Sequence, residues 1–399
     1  MSLRTACTLL FAICSLGAAA PIRAAGEKSP AQDRVDAARR AIEKEPTRPG
    51  PHNALALALA RRARETGDAS LYDEAQKAID ESLRLAPENY DALKTRVWLL
   101  LGKHEFSKAL RAARELQRRA PDDVLVYGFL TDANVELGNY EDAEEAAQWM
   151  LDLRPGNVPG LTRGAYLREL FGDLDGALDF LATALHRTHP SEVEDRAWIL
   201  THMSHLKLEA GDVGAAEKVV NEALALFPHY HYALAQLAKV RGKQGRNADA
   251  VALLEQRYRE ASHPENLYDL ACALRDAGRA AEADAAFSQF EKQALAESSG
   301  ADNANRELAA YYVDQAKRPA DGLRIAELEA SRRKDVHTLA VLAGALQACG
   351  RSAEARETIA KAVAVGTKDK AIRARAAAIL GDAAGAGSEE REKDGGGTD

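Results

Sequence analysis

Three prolines, Pro87, Pro121 and Pro155, stand 34 residues apart, and an amphipathic run precedes each of them: Ile79 to Ala86, Leu110 to Ala120, Ala143 to Arg154. A proline cannot continue a helix, so each one marks a helix end, and equal spacing means that the same unit is built again and again. Between prolines a second mark recurs: a glycine followed five residues later by an alanine. It is clearest at Gly138-Asn139-Tyr140-Glu141-Asp142-Ala143, and related turns begin at Gly172, Gly211, Gly245, Gly278 and Gly350. Glycine closes the first helix of each unit with a positive φ, and the small alanine lets the second helix lie close against it. A chain of this kind is bound to stack helix pairs along a line, since one pair alone leaves an apolar face uncovered.

The residues that carry the period resemble the tetratricopeptide (TPR) repeat, which has apolar residues at repeat positions 4, 7, 8 and 11, Gly near 15, an aromatic or apolar residue at 17, Ala at 20 and Pro at 32. From Val124 those positions hold Tyr127, Leu130, Thr131, Asn134, Gly138, Tyr140, Ala143 and Pro155. From Ala197 they hold Leu200, Met203, Ser204, Lys207, Gly211, Val213, Ala216 and Pro228, and in the last unit Leu339, Leu342, Ala343, Leu346, Gly350, Ser352 and Ala355 fit while Thr367 replaces the proline. The resemblance implies an all-α fold, a right-handed superhelical solenoid of antiparallel helix pairs, over about nine pairs in residues 52–367. Departures fall at Thr66 to Ser70, read as extra residues, at Arg96, at His189 to Asp195, read as a lengthened connection, and at Lys317 and Gly322 in the unit near Asn303.

The flanks differ in kind. Residues 1–24 read as a secretory signal peptide: Arg4, then an apolar stretch with Leu9, Leu10, Phe11, Ile13 and Leu16, then small residues, with cleavage expected near Ala24 or Ala25. Residues 25–51 read as a linker and a capping helix over Ala31 to Glu45, and residues 368–384 as a second capping helix that covers the last apolar face. Residues 385–399, charged and glycine-rich, read as a flexible tail. No later stretch is as long and apolar as a membrane span, so an exported, periplasmic or secreted protein is expected, with the Ala- and Arg-rich composition pointing to a bacterial envelope.

Composition narrows the partner. A net charge of −8, with Lys and Arg interspersed among Asp and Glu, lacks the basic face that phosphate neutralisation requires, so no nucleic acid is expected. No phosphate-cradling glycine loop, His-Glu-x-x-His, Gly-x-Ser-x-Gly or Cys-x-x-Cys occurs, so neither an enzyme nor a cofactor is expected. In TPR proteins repeat positions 2, 5, 9 and 12 line the concave groove. Carried over to this sequence, they give Lys94 and Trp98, Asp132, Thr162 and Tyr166, Trp198, Thr201 and His205, Tyr232 and Lys239, Glu265, Tyr268 and Cys272, and Glu307 with Tyr311. A protein or peptide partner anchored by these aromatics and selected by Lys94, Asp132, Lys239 and Glu265 is the expectation. The alternative for any one ring is that it packs against a neighbouring helix. Trp98 and Gly128 interrupt the residue set with which related grooves hold a C-terminal carboxylate, so that clamp is not expected.

The histidines supply a rival reading. His186, His189, His202, His205, His229 and His231 crowd one stretch, and His202 and His205 are spaced to share a helix face, as ligands of a metal or small molecule could. The simpler reading has them solvated or hydrogen-bonded between helices. Cys272 and Cys349 lie two repeats apart and are not expected to pair.

Overall fold

The computed structural model describes residues 30–300 and 303–381. The expected leader (1–24) and charged tail (385–399) lie outside them. The described residues form twenty helices and no strand: α1 (Pro30–Lys44), α2 (Pro49–Thr66), α3 (Ser70–Leu85), α4 (Tyr90–Gly102), α5 (Phe106–Arg119), α6 (Val124–Leu137), α7 (Tyr140–Leu153), α8 (Val158–Leu170), α9 (Leu174–Arg187) and α10 (Val193–Glu209). They continue with α11 (Val213–Leu226), α12 (His231–Lys243), α13 (Asn247–Glu260), α14 (Pro264–Asp276), α15 (Ala280–Glu297), α16 (Asn305–Ala310), α17 (Pro319–Ala330), α18 (Val336–Ala348), α19 (Ser352–Val363) and α20 (Lys370–Leu380). Helices α2/α3 to α18/α19 make nine antiparallel pairs, each packed on its own partner and on the next pair.

Local chemistry explains the repetition. Each proline sits one residue past a cap, and two residues later an Asn or Asp starts the next helix by accepting a backbone N–H: Asn89 from Ala92 at 3.1 Å, Asp123 from Leu125 at 3.0 Å, Asn157 from Gly160 at 2.7 Å. The Gly138, Gly172, Gly211, Gly245, Gly278 and Gly350 turns all have positive φ, between 72° and 89°. Where glycine is missing, His104 (φ 56°) and Lys317 (φ 54°) take the same left-handed position. The alanine of each turn is buried, with Ala143, Ala177, Ala216, Ala283 and Ala355 wholly covered, which is what lets the helices of a pair touch.

The irregular places differ from the sequence reading in instructive ways. Thr66 ends a lengthened α2 and Ser70 begins α3, so only Gly67 to Ala69 lie outside helix. Most of the stretch expected as a long connection at His189 to Asp195 does form one, yet Val193 to Arg196 add a turn to α10 in front of the repeat's first position. In the eighth pair, α16 is short and continues as a π-helical turn over Tyr311–Gln315, which absorbs the register slip that Lys317 and Gly322 signalled.

The superhelix touches itself. The turns inside the first, third and fourth pairs dock on connections of the following superhelical turn, forming a seam. Gly67 lies against Ala261, and the His231 Nε2–H donates to the Arg64 carbonyl at 3.0 Å. The Lys334 N–H donates to the Glu136 carbonyl at 2.8 Å, the Val336 N–H donates to the Tyr140 hydroxyl at 3.0 Å, and Gly172 meets Gly366. Val135, Leu167 and Leu170 share one apolar cluster with Val336, Ala340 and Leu346.

Two glycine substitutions isolate the seam. Gly172 and Gly245 both have positive φ, but a Cβ at Gly172 would stand 2.5 Å from the Gly366 carbonyl oxygen, whereas one at Gly245 meets open space. Gly245→Ala is expected to cost about 1 kcal/mol, the left-handed strain alone. Gly172→Ala should cost roughly 1–3 kcal/mol more, because backbone has to move. Equal urea midpoints for the two variants would mean that the seam yields freely.

Candidate functional site

The first helices of the pairs face the superhelix axis, and in the first turn they enclose a cavity of about 1410 Å³. Its walls are α1, α2, α4, α6, α8 and α10. Six residues of the expected stripe line it: Lys94, Trp98, Asp132, Thr162, Tyr166 and Trp198. Both tryptophans lean partly on the core, Trp98 on the clusters around Leu99 and Phe129 and Trp198 on those around Leu181 and Leu200, and turn their remaining surface to the cavity. Leu125, 47% exposed, and Phe129 complete the apolar wall.

Lys94 and Asp132 are engaged within the protein. Lys94 Nζ lies 3.0 Å from Asp123 and 3.3 Å from Asp91, and the Arg163 guanidinium holds Asp132 at 2.5 Å while also donating to the Gly128 carbonyl at 3.1 Å. Arg163 belongs to the site and the register rule omits it, since it stands at position 6 of its repeat and reaches back across one helix. Helix α1, read from sequence as a cap, supplies a wall through Ala37, Ala38 and Ala41.

The other stripe residues do not line this cavity. His205 and His202 each offer Nε2 to one oxygen of Glu169, at 2.9 and 2.5 Å, which holds that carboxyl at about 2 despite its burial. Tyr232 lies further along the axis, its ring against His231 with centroids 3.9 Å apart. Lys239 is exposed on α12. Tyr268 and Tyr311 pack on Phe287 and Phe290 in the core of the second turn. Burial near the Tyr268 hydroxyl pushes the Cys272 thiol up to about 12, and Cys272 and Cys349 are both free thiols. His186, His189 and His229 are exposed, and among the described residues no group of three or more His, Cys, Asp or Glu side chains is placed to hold a metal ion.

Ion pairs shut the side of the cavity. Arg34 and Arg61 both reach Glu192, at 3.4 and 3.7 Å, and Arg64 pairs with Glu194 and, at 3.2 Å, with Asp195. The Tyr230 hydroxyl donates to Glu194 at 2.8 Å. These contacts tie α2 in the first pair to α10 in the fifth, so the concave face becomes a lumen. Deeper along the axis lies a buried charged group in which Arg333 pairs with Glu329 at 2.7 Å and Glu136 at 3.3 Å, with Arg306 3.6 Å from Asp335.

No protein-family model matches the sequence, and no curated protein does either. Solved structures match in fold. A monomeric mutant of human IFIT1 with m7Gppp-AAAA is 12% identical over 84% of this chain and 95% of its own, with a TM-score of 0.51. A chain of the APC/C hetero-tetramer Cut9-Hcn1 is 13% identical over 86% of this chain, with a TM-score of 0.50, and this chain spans only 59% of that chain's length. TTC0263, a TPR protein of Thermus thermophilus, is 21% identical over 46% of this chain and 98% of its own, with a TM-score of 0.40. Period, turn chemistry and pairwise packing agree: the fold is a tetratricopeptide-repeat solenoid. Among the described residues no helix is long and apolar enough to cross a membrane.

Proposed function

We propose that this tetratricopeptide solenoid is a non-enzymatic scaffold that holds a segment of a partner protein in its lumen, and that it works in a bacterial envelope after losing residues 1–24. The observation that carries the reading is the wall of Trp98, Leu125, Phe129, Tyr166 and Trp198 around a cavity large enough for a peptide. Exposed aromatic and aliphatic surface of this kind gains free energy only when a ligand covers it. The ion-paired charges of the wall leave no basic track for a phosphate backbone, which disfavours RNA as the ligand.

A photo-crosslinking side chain placed at Leu125 should capture a partner segment from envelope extract. The same group at Trp149, 47% exposed on α7 and not part of the lumen wall, should not. Capture at both positions alike, or at Trp149 alone, would move the binding surface to the outside of the solenoid. Export is tested separately: the exported chain is expected to begin near Ala25, and a full-length chain recovered from the cytoplasm would refute that half of the proposal.

A further inference from the structure

The lumen restricts its ligand more than an open groove would. We propose that it takes the end of an uncharged, apolar α-helix of a partner protein, inserted along the superhelix axis. This rests on the lumen reading above and adds three limits to it: charge, backbone conformation and direction of entry.

Charge comes first. Lys94 is held by Asp91 and Asp123, Asp132 by Arg163, Arg34 and Arg61 by Glu192, Arg64 by Glu194 and Asp195, and Glu136 by Arg333. A charged ligand side chain inside this wall would either stay without a counter-ion or break an existing pair, and both cost more than a rim contact returns. The remaining surface is aromatic and aliphatic, so uncharged apolar side chains fit it best.

Backbone comes second. The threonine hydroxyls of the wall are bonded to their own helices: Thr95 donates to the Asp91 carbonyl at 3.0 Å, Thr131 to that of Tyr127 at 2.9 Å and Thr162 to that of Pro159 at 3.2 Å. An extended segment would bring a row of amides into a space that offers them few partners, whereas a helix satisfies its own. Only the terminal N–H groups of a helix stay open. A helix about 10 Å wide, rising 1.5 Å per residue, would fill 1410 Å³ with roughly a dozen residues.

Direction comes third. The Arg34, Arg61 and Arg64 pairs and the His231 to Arg64 hydrogen bond close the wall sideways. A partner therefore enters by an end rather than by laying an internal loop across the groove.

A display library of random peptides of about 14 residues, roughly four helical turns, selected on the protein tests charge and backbone, and fusing a folded domain to both ends of a winner, which should abolish its binding, tests direction. The library is counter-selected on Ala37→Trp with Ala54→Trp, two exposed alanines whose enlargement fills the lumen without entering the core. Leu125→Asp serves as a second block if the plugged variant loses helicity. The expected winners are helix-forming, apolar and free of charge, bind at least tenfold more weakly to either blocked variant, and keep their affinity within about twofold from low to high salt. Winners that are charged, salt-sensitive, rich in proline or extended would overturn the proposal while leaving the lumen as the binding site. Winners indifferent to both blocks, or none at all, would overturn the lumen reading itself.

Discussion

Replacing Arg333 by Ala is expected to lower stability by about 3–5 kcal/mol, the range for removing one partner of a buried ionic group. The guanidinium is 6% exposed and serves three carboxylates, Glu329 at 2.7 Å, Glu136 at 3.3 Å and Asp335 at 3.7 Å, while its charge sits over the Phe106 ring. Asp335 survives its loss, because the His337 and Thr338 amides and the Thr338 hydroxyl donate to it. Glu329 keeps the Asn305 amide at 3.1 Å but loses its close cation, and Glu136 loses the cation that links its helix to the next superhelical turn. Burial and the nearby Asp335 already raise the Glu136 carboxyl above its ordinary value. Arg333→Met with both Glu136→Gln and Glu329→Gln should therefore recover much of the deficit, since it removes the stranded charges together with their partner. Urea denaturation gives the answer, and a single-variant loss below about 1 kcal/mol would rank this group with surface pairs.

Acid should open the same seam. Burial drives the imidazoles of His104 and His231 down to about 4, helped at His104 by Arg333 and Arg306 and at His231 by Arg257 and opposed at His231 by its bond to the Arg64 carbonyl. Both histidines are held neutral in the folded chain and titrate near 6.5 once unfolded. Their stabilising contribution is complete above pH 6.5 and disappears as pH falls from 6.5 towards 4, on the order of 3 kcal/mol for each. Glu136, Glu194 and Glu307 have carboxyls raised by burial and pull the other way, so the decisive quantity is the difference between proteins. The double variant His104→Asn, His231→Gln should show a flatter stability profile over that interval, Asn being chosen because His104 has φ 56°. Parallel profiles would show that water reaches these rings.

The repeat was legible because its marks are local. A proline, a turn glycine and a buried alanine each act within a few residues, so the period, the pairing of helices and the positions of Ala143 or Ala216 could be read before any contact was known. The Asx caps at Asn89, Asp123 and Asn157 carried an equally local signal that the reading did not use. The seam was not legible. Its hydrogen bonds join Lys334 to Glu136 and His231 to Arg64, each ending on a backbone carbonyl that every residue has, between turns far apart in the chain. The same limit divides the stripe. Register predicts which face of a helix looks inward, and Lys94, Trp98, Asp132, Tyr166 and Trp198 do meet around one cavity. Register cannot say what fills the axis, and in the second turn Tyr268 and Tyr311 are covered by Phe287 and Phe290, while in the first His205 is spent on Glu169.

An open solenoid is close to one-dimensional: its stability is a sum over neighbours, and any end can fray or be shortened at small cost. The contacts of Gly67, Glu136 and Gly172 with later connections remove that freedom. The first pairs leave the ribosome with their turns bare, and they stay so until the chain has been made past Ala261, Lys334 and Gly366 in succession. Closing such distant contacts is entropically slow. Vectorial synthesis would thus yield an early half that is helical but loosely wound, with a lumen that acquires its final bore only when the last pair arrives. Deleting α18 to α20 should consequently be felt at α6 and α8, more than a hundred residues upstream.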